Sequence, residues 1–324
     1  MTPTEWEALK HQEAQVQDDI RIHYVDVGPR DATPLVLVHG WPDLGFAWRF
    51  QLPELMKKYR VIVPDMRGFG RSSSPKEISK YGGKNVTGDL ARLLDILKIE
   101  KAVFIGHDWG GSTVWRMCMY HPQRVLAVAA VCTPYSPPAK EFVDLEAHTQ
   151  RLPMFTYMNV LAQTKSTGKM LDEHAERFFK ALFRHHREFL DEPIKDTIVN
   201  VPTSKDPIYT QLSSLLSREE LDFYVREYAR HGFESTVNWY ATRPIDFETE
   251  RGMDIIIPHT ALYIGARDDK VLKPELAVRM PQVIPNLEMT TIEDAGHWIL
   301  WEQREQVTQK LVEWLAKVTT AQAP

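Results

Sequence analysis

Cysteine is nearly absent: only Cys118 and Cys132 occur in 324 residues. That excludes a small disulfide-stapled scaffold and a cysteine-rich metal centre. Both thiols fall in apolar segments, one helical and one extended, and are expected to be buried and reduced, which suits a cytosolic protein. No stretch approaches the run of about 18 apolar residues that a membrane helix needs, and the opening MTPTEWEALKHQ is too charged for a secretory leader. A basic excess is also missing. Lys+Arg number 39 against Asp+Glu 44, a net charge of -5, so neither nucleic acid nor an anionic membrane is an expected partner. Internal repeats and low-complexity tracts do not occur. No histidine or cysteine cluster has metal-ligand spacing and no dinucleotide fingerprint follows a strand, so no metal or organic cofactor is expected. What is there is ordinary for a globular enzyme: 43% hydrophobic and 26% charged residues, in a length that fits one large domain with an insertion.

Short apolar runs ended by Gly or Pro at 34–39, 60–64, 102–106 and 125–132 have the pattern of buried parallel strands. Helical spacing lies between them, in a segment within 47–58 and at 84–97 and about 110–120. This alternation predicts an α/β fold with a mostly parallel, doubly wound sheet. From 134 to 244 the alternation stops and helical stretches such as EHAERFFKALFRHH and SREELDFYVREYARHG take over. Strand–helix alternation resumes with 259–265, 287–293 and a terminal amphipathic helix near 303–317. The expected organisation is therefore a core of residues 1–133 and 245–324 with a helical cap inserted at 134–244.

The chemistry concentrates at Val103-Phe-Ile-Gly106-His-Asp108-Trp109-Gly110-Gly111. A buried strand runs into Gly-x-Asp-x-Gly and then into a helix. That sharp turn requires small residues two before and two after its apex, and Asp108 stands at the apex. Alone, the five-residue pattern arises by chance in on the order of one chain in ten of this length. Its weight comes from the strand before it and the helix after it, whose N-terminus favours an anion at Asp108. A carboxylate at this position is poor at acyl transfer but displaces a leaving group at a saturated carbon, giving an alkyl ester that an activated water then hydrolyses. The expected substrate carries an electrophilic sp³ carbon, as in an epoxide or alkyl halide.

Asp294-Ala-Gly-His297-Trp lies between the last strand and the terminal helix, which makes His297 the general base in the chain order nucleophile, acid, histidine. The acid must follow the strand at 259–265, where Asp268 and Asp269 are adjacent. Counting from Gly265 favours Asp268; counting back from Val271, Leu272 and Pro274 favours Asp269, the residue chosen. Backbone N–H groups of Trp41, in His39-Gly-Trp-Pro, and of Trp109 are expected to form the oxyanion hole. His39 and the glycine-rich turn Asp65-Met-Arg67-Gly-Phe-Gly-Arg71 read as scaffold, the latter lacking the Lys and spacing of a phosphate loop.

With HGWPDLGFAWRFQLPEL, VPDMRGFGRSS, GHDWGG and EDAGHW, the chain resembles the epoxide hydrolase branch of the α/β-hydrolase superfamily over nearly its whole length. The resemblance implies two lid tyrosines that polarise the epoxide oxygen. Tyr157, in Phe155-Thr-Tyr157, and Tyr240, in Asn238-Trp-Tyr240, match them, although many relatives have Gln where Met158 stands. A phenol of ordinary pKa about 10 is suited to protonate a departing alkoxide. The implied substrate is a small hydrophobic epoxide, with Phe155, Phe178, Phe179, Phe183 and Trp239 expected to supply apolar pocket surface. A dehalogenase would share Asp108, Trp109 and His297 but has no use for proton-donating tyrosines. A silent ligand-binding relative would be expected to lack a member of the Asp–His–Asp set.

Overall fold

The computed structural model describes residues 1–320. Its strands are β1 (His11–Gln17), β2 (Ile20–Val27), β3 (Pro34–Val38), β4 (Arg60–Pro64), β5 (Ala102–His107), β6 (Val125–Val131), β7 (Ala261–Ala266) and β8 (Leu287–Ile292). They form one sheet in the order β1-β2-β4-β3-β5-β6-β7-β8. β1 and β2 pair antiparallel, as do β2 and β4, and the remaining neighbours are parallel. The central strands are apolar along their whole length because both faces are covered: every residue of β5 and of β7 is buried. The α/β-hydrolase fold and its mostly parallel sheet are thus as the sequence predicts. Cys118 and Cys132 are buried free thiols. No helix among the described residues is long and apolar enough to cross a membrane.

One local expectation is refined, and the N-terminal hairpin, residues 11–27, was not read from sequence. The helical segment within 47–58 is a 3₁₀ turn, Gly45–Phe50, followed by a short helix, Leu52–Leu55. Pro53 lacks the N–H that a continuous helix would require there. The N-terminal hairpin carries no clear apolar alternation in β1, of which only Ala14 and Val16 are buried, as befits an edge strand.

Between β6 and β7 the chain is helical, including Tyr157–Leu161, Thr164–Glu173, Ala175–Leu182, Arg218–Tyr228 and Arg243–Glu250. Helix Arg218–Tyr228 starts with a capping box made by Ser217 and Glu220. Glu220 also accepts from the buried Arg49 Nε at 2.7 Å, and the Tyr224 hydroxyl donates to Asp43 Oδ1 at 2.6 Å, so this helix is tied to the sheet layer by buried polar contacts. Within the core, Arg67 and Asp89 form a two-pronged ion pair at 2.8 and 2.6 Å, both side chains fully buried. Removing one partner strands the other charge away from water. Asp89→Ala is therefore expected to cost roughly 3–5 kcal/mol, read as a lower urea midpoint at unchanged slope.

Candidate active site

Asp108 stands at the turn between β5 and the helix Trp109–Tyr120, with φ 53° and ψ -124°. A non-glycine residue there is strained by about 1–3 kcal/mol, and the surroundings hold it in place. A Cβ on Gly106 would lie 2.2 Å from the Gly110 carbonyl oxygen, and one on Gly110 would lie 2.0 Å from that of Val38. Only glycines let the turn seat so closely on β3. Thr133 Oγ1 donates to the Asp108 carbonyl at 2.7 Å. The carboxylate is aimed by the loop after β3, where the Trp41 N–H donates to Oδ1 at 2.7 Å. The Trp109 N–H, at the start of the following helix, also favours the anion.

The other oxygen, Oδ2, lies 3.7 Å from His297 Nε2. On the far side of the imidazole, Nδ1 meets Asp269 Oδ2 at 2.8 Å, and Asp269 Oδ1 accepts from the amides of Val271 and Leu272 at 2.8 and 2.9 Å. Asp269 is buried. Asp268 turns its side chain outward, 45% exposed, and its nearest basic neighbour is His186. The two tyrosines face one another with ring centroids 5.9 Å apart, and Tyr240 stands edge-on to both Trp41 and Trp109. Trp41, Asp108, Tyr157, Tyr240, Asp269 and His297 line one cavity.

The apolar wall of that cavity corrects the expectation from sequence. It comes from Leu182, Phe189, Ile194, Val271 and Trp298; Phe155, Phe178, Phe179, Phe183 and Trp239 do not line it. Those aromatics pack elsewhere: Phe178 against Trp41, Phe179 and Phe183 on one another, Phe155 on His148, and Trp239 between Phe69 and Trp109. His39 donates Nδ1–H to the Gly40 carbonyl and accepts the Met66 N–H, and Asp65 accepts from His23, Gly45 and Arg71. These bonds fix the loops beneath the cavity.

The chain matches the α/β hydrolase fold family over residues 33–303 and the epoxide hydrolase N-terminal family over residues 2–47. Epoxide hydrolase A of Mycobacterium tuberculosis is 33% identical over 311 residues, covering 91% of this chain and 94% of that one. The chain belongs to the epoxide hydrolase branch of the α/β-hydrolase fold family. The crystal structure of epoxide hydrolase A from Mycobacterium thermoresistibile superposes with a TM-score of 0.81 at 31% identity, covering 95% of this chain and 98% of that one. Bifunctional epoxide hydrolase 2 of Mus musculus is 36% identical over 317 residues, 95% of this chain. This epoxide hydrolase-family chain spans about half the length of that mammalian relative, 55% of it.

The electrostatics of this site are set by burial and by three charges in a row. Burial pushes the Asp108 carboxyl above its ordinary range, against the His297 charge and the Trp41 and Trp109 N–H groups, which favour the anion. Burial alone would lower the His297 pKa, but contact with Asp269 and the nearby Asp108 outweigh it and raise it to about 9. Burial also raises both tyrosines, so their phenols stay neutral and able to donate.

Two supports of the His297 loop were not singled out from sequence. His107, kept neutral by burial with its pKa lowered to about 3, reaches the His297 carbonyl through Nε2 at 2.8 Å. Glu302 Oε2 accepts the Gly296 N–H at 3.0 Å. Adjacency to Asp108 was a sequence signal for His107; none pointed to Glu302.

Proposed function

We infer that this protein hydrolyses a small hydrophobic epoxide to a vicinal diol through an ester on Asp108. One observation carries the reading: a buried carboxylate, two neutral phenols and an Asp269-paired imidazole share one largely apolar cavity. Its relatives' names point the same way.

Oδ1 of Asp108 is held by the Trp41 N–H, which leaves Oδ2 as the attacking oxygen. It forms a C–O bond to an epoxide carbon as the ring C–O bond breaks, and Tyr157 and Tyr240 supply a proton to the alkoxide. Ester formation removes the Asp108 charge 3.7 Å from His297. The imidazolium then keeps only one adjacent carboxylate, its pKa falls, and the proton it gives up restores the tyrosine. Neutral His297 takes a proton from water, and the hydroxide adds to the Asp108 carbonyl carbon. The resulting oxyanion rests on the Trp41 and Trp109 N–H groups. Collapse expels the diol and regenerates the carboxylate, the net change being addition of one water.

On this reading residues 1–133 and 245–324 are the catalytic core, its last residues 321–324 lying outside those described, and 134–244 are a cap that brings Tyr157 and Tyr240 over Asp108. The two buried thiols suit a reducing compartment, and we assign the protein to the cytoplasm.

A single turnover with aryl and aliphatic epoxides in ¹⁸O-water tests the route. Unlabelled diol together with ¹⁸O in the Asp108 peptide is the expected result. Label appearing directly in the diol would sink the covalent step, and halide release without any diol would move the protein to dehalogenation. Replacing either tyrosine by Phe is expected to slow ester formation at least about tenfold, and the double variant on the order of 10²–10⁴-fold. Ester hydrolysis, timed separately, should be unchanged; a slowing confined to hydrolysis would remove the tyrosines from ring opening.

A further inference from the structure

Beside the cavity a second cluster joins the helical block to the core. His185 and His186 follow the helix Ala175–Leu182, and Glu302 ends the short helix Ile299–Glu302 after the His297 loop. His186 Nδ1 lies 2.5 Å and His185 Nε2 lies 3.9 Å from Glu302 Oε2, and the three donor atoms fall within 4.8 Å of one another. The Glu302 side chain is fully buried, and its Oε1 has no hydrogen-bond partner. The oxygen that faces both imidazoles, Oε2, also accepts the Gly296 and His186 N–H groups, and a buried carboxylate beside two imidazoles is a donor set suited to a cation.

We propose that His185, His186 and Glu302 form a binding site for a first-row divalent transition-metal ion, zinc the best fit, which clamps the helical block to the His297 loop. Two imidazole nitrogens and one carboxylate suit zinc rather than magnesium or calcium, which prefer oxygen. Ligands about 2.1 Å from a tetrahedral ion sit roughly 3.4 Å apart, and the separations of 2.5 and 3.9 Å bracket that value. Small side-chain shifts seat the ion, with water in the fourth position.

The ion takes the place of the proton between His186 Nδ1 and Glu302. The other face of the ring is already furnished: Nε2 lies 3.1 Å from Asp294 Oδ1, the carboxylate partner that orients a metal-bound histidine. Asp268 Oδ2 is 3.8 Å from the same nitrogen, and Arg187 pairs with Asp294, so neither carboxylate is needed as a ligand. His185 Nδ1 accepts the Arg187 N–H at 3.3 Å. Binding through Nε2 shifts the His185 proton to Nδ1 and gives up that long bond. Because protons compete with the ion for both imidazoles, affinity falls as the pH is lowered. His186 also lines the cavity, so the ion would stiffen one of its walls.

Calorimetric titration of the metal-stripped full chain with zinc chloride, at pH 7.5 and 5.5, tests the proposal alongside thermal melts. The expected result is one saturable equivalent at pH 7.5, weaker binding at pH 5.5, a higher Tm with zinc, and no competition from excess magnesium. His185→Asn and His186→Asn should each weaken binding at least about tenfold. If His186→Asn does not fold, His185→Asn, on a partly exposed side chain, decides alone. No saturable binding below millimolar zinc would overturn the proposal. So would full binding by His185→Asn, or loss of binding on Asp268→Asn with His185→Asn unaffected.

Discussion

Asp108→Ala is expected to lower diol formation on the order of 10⁵-fold or more, the scale seen when an enzyme loses its covalent nucleophile. No neighbour can replace it. Asp269, the other buried carboxylate of the cavity, has Oδ2 against His297 and Oδ1 under two amide N–H groups, so neither oxygen is free to attack. The substitution leaves the Trp41 N–H without its 2.7 Å partner, at about 1–3 kcal/mol, but also removes a carboxylate whose burial opposes its charge. These effects oppose each other, so the Tm should change little and the lost activity cannot be put down to unfolding. The measurement is a single turnover with enzyme in excess, following diol by mass spectrometry. A variant that keeps more than about a hundredth of the parent rate would mean that water attacks the epoxide directly and that Asp108 only positions it.

His297→Gln is expected to have a different signature. Ring opening needs no base, so one equivalent of epoxide should be consumed and a stable ester should remain on the Asp108 peptide. Hydrolysis of that ester should slow by roughly 10²–10⁴-fold, the usual contribution of a positioned base. In the parent protein the same intermediate should build up as the pH is lowered. The sign follows from the base having to be neutral: His297, held at about 9 in the resting site, is released from one carboxylate in the ester but still pairs with Asp269. Falling pH therefore protonates it and slows the second step. Rising pH frees it until that step no longer limits. Ester formation depends instead on the Asp108 anion and fails only at lower pH. Loss of ester formation in His297→Gln, rather than of its hydrolysis, would place His297 in the first step and refute this division of labour.

The elbow was legible because everything that makes it is local. Gly106, Asp108 and Gly110 lie within five residues, between an apolar run and a helical one, and the close seat of Gly110 on Val38 explains why no larger residue serves. His297 was found by chain order, since the loop after the last strand of such a sheet opens beside the elbow. The parallel strands were legible for a related reason: cover on both faces leaves an uninterrupted apolar run, whereas the edge strand β1, with only Ala14 and Val16 buried, leaves almost no mark.

Where two readings of one segment differ only in the direction of a side chain, the sequence is silent. Asp268 and Asp269 are chemically identical neighbours, and the turn after β7 directs one outward and the other under the Val271 and Leu272 amides against His297. Phe178, Phe179 and Phe183 were expected from sequence to supply pocket surface; they are buried, but apolar character does not say which interior surface a buried ring meets. That choice is made by how the helices pack, and packing gave the cavity wall to Leu182, Phe189 and Ile194 instead. Likewise the adjacent pair His185-His186 and Glu302 are more than a hundred residues apart and carry no shared spacing. Short-range sterics and hydrogen bonding wrote the strands, the elbow and the order of the reacting groups into the sequence. Long-range packing alone decided which carboxylate meets the imidazole, which side chains line the cavity and which distant donors come together.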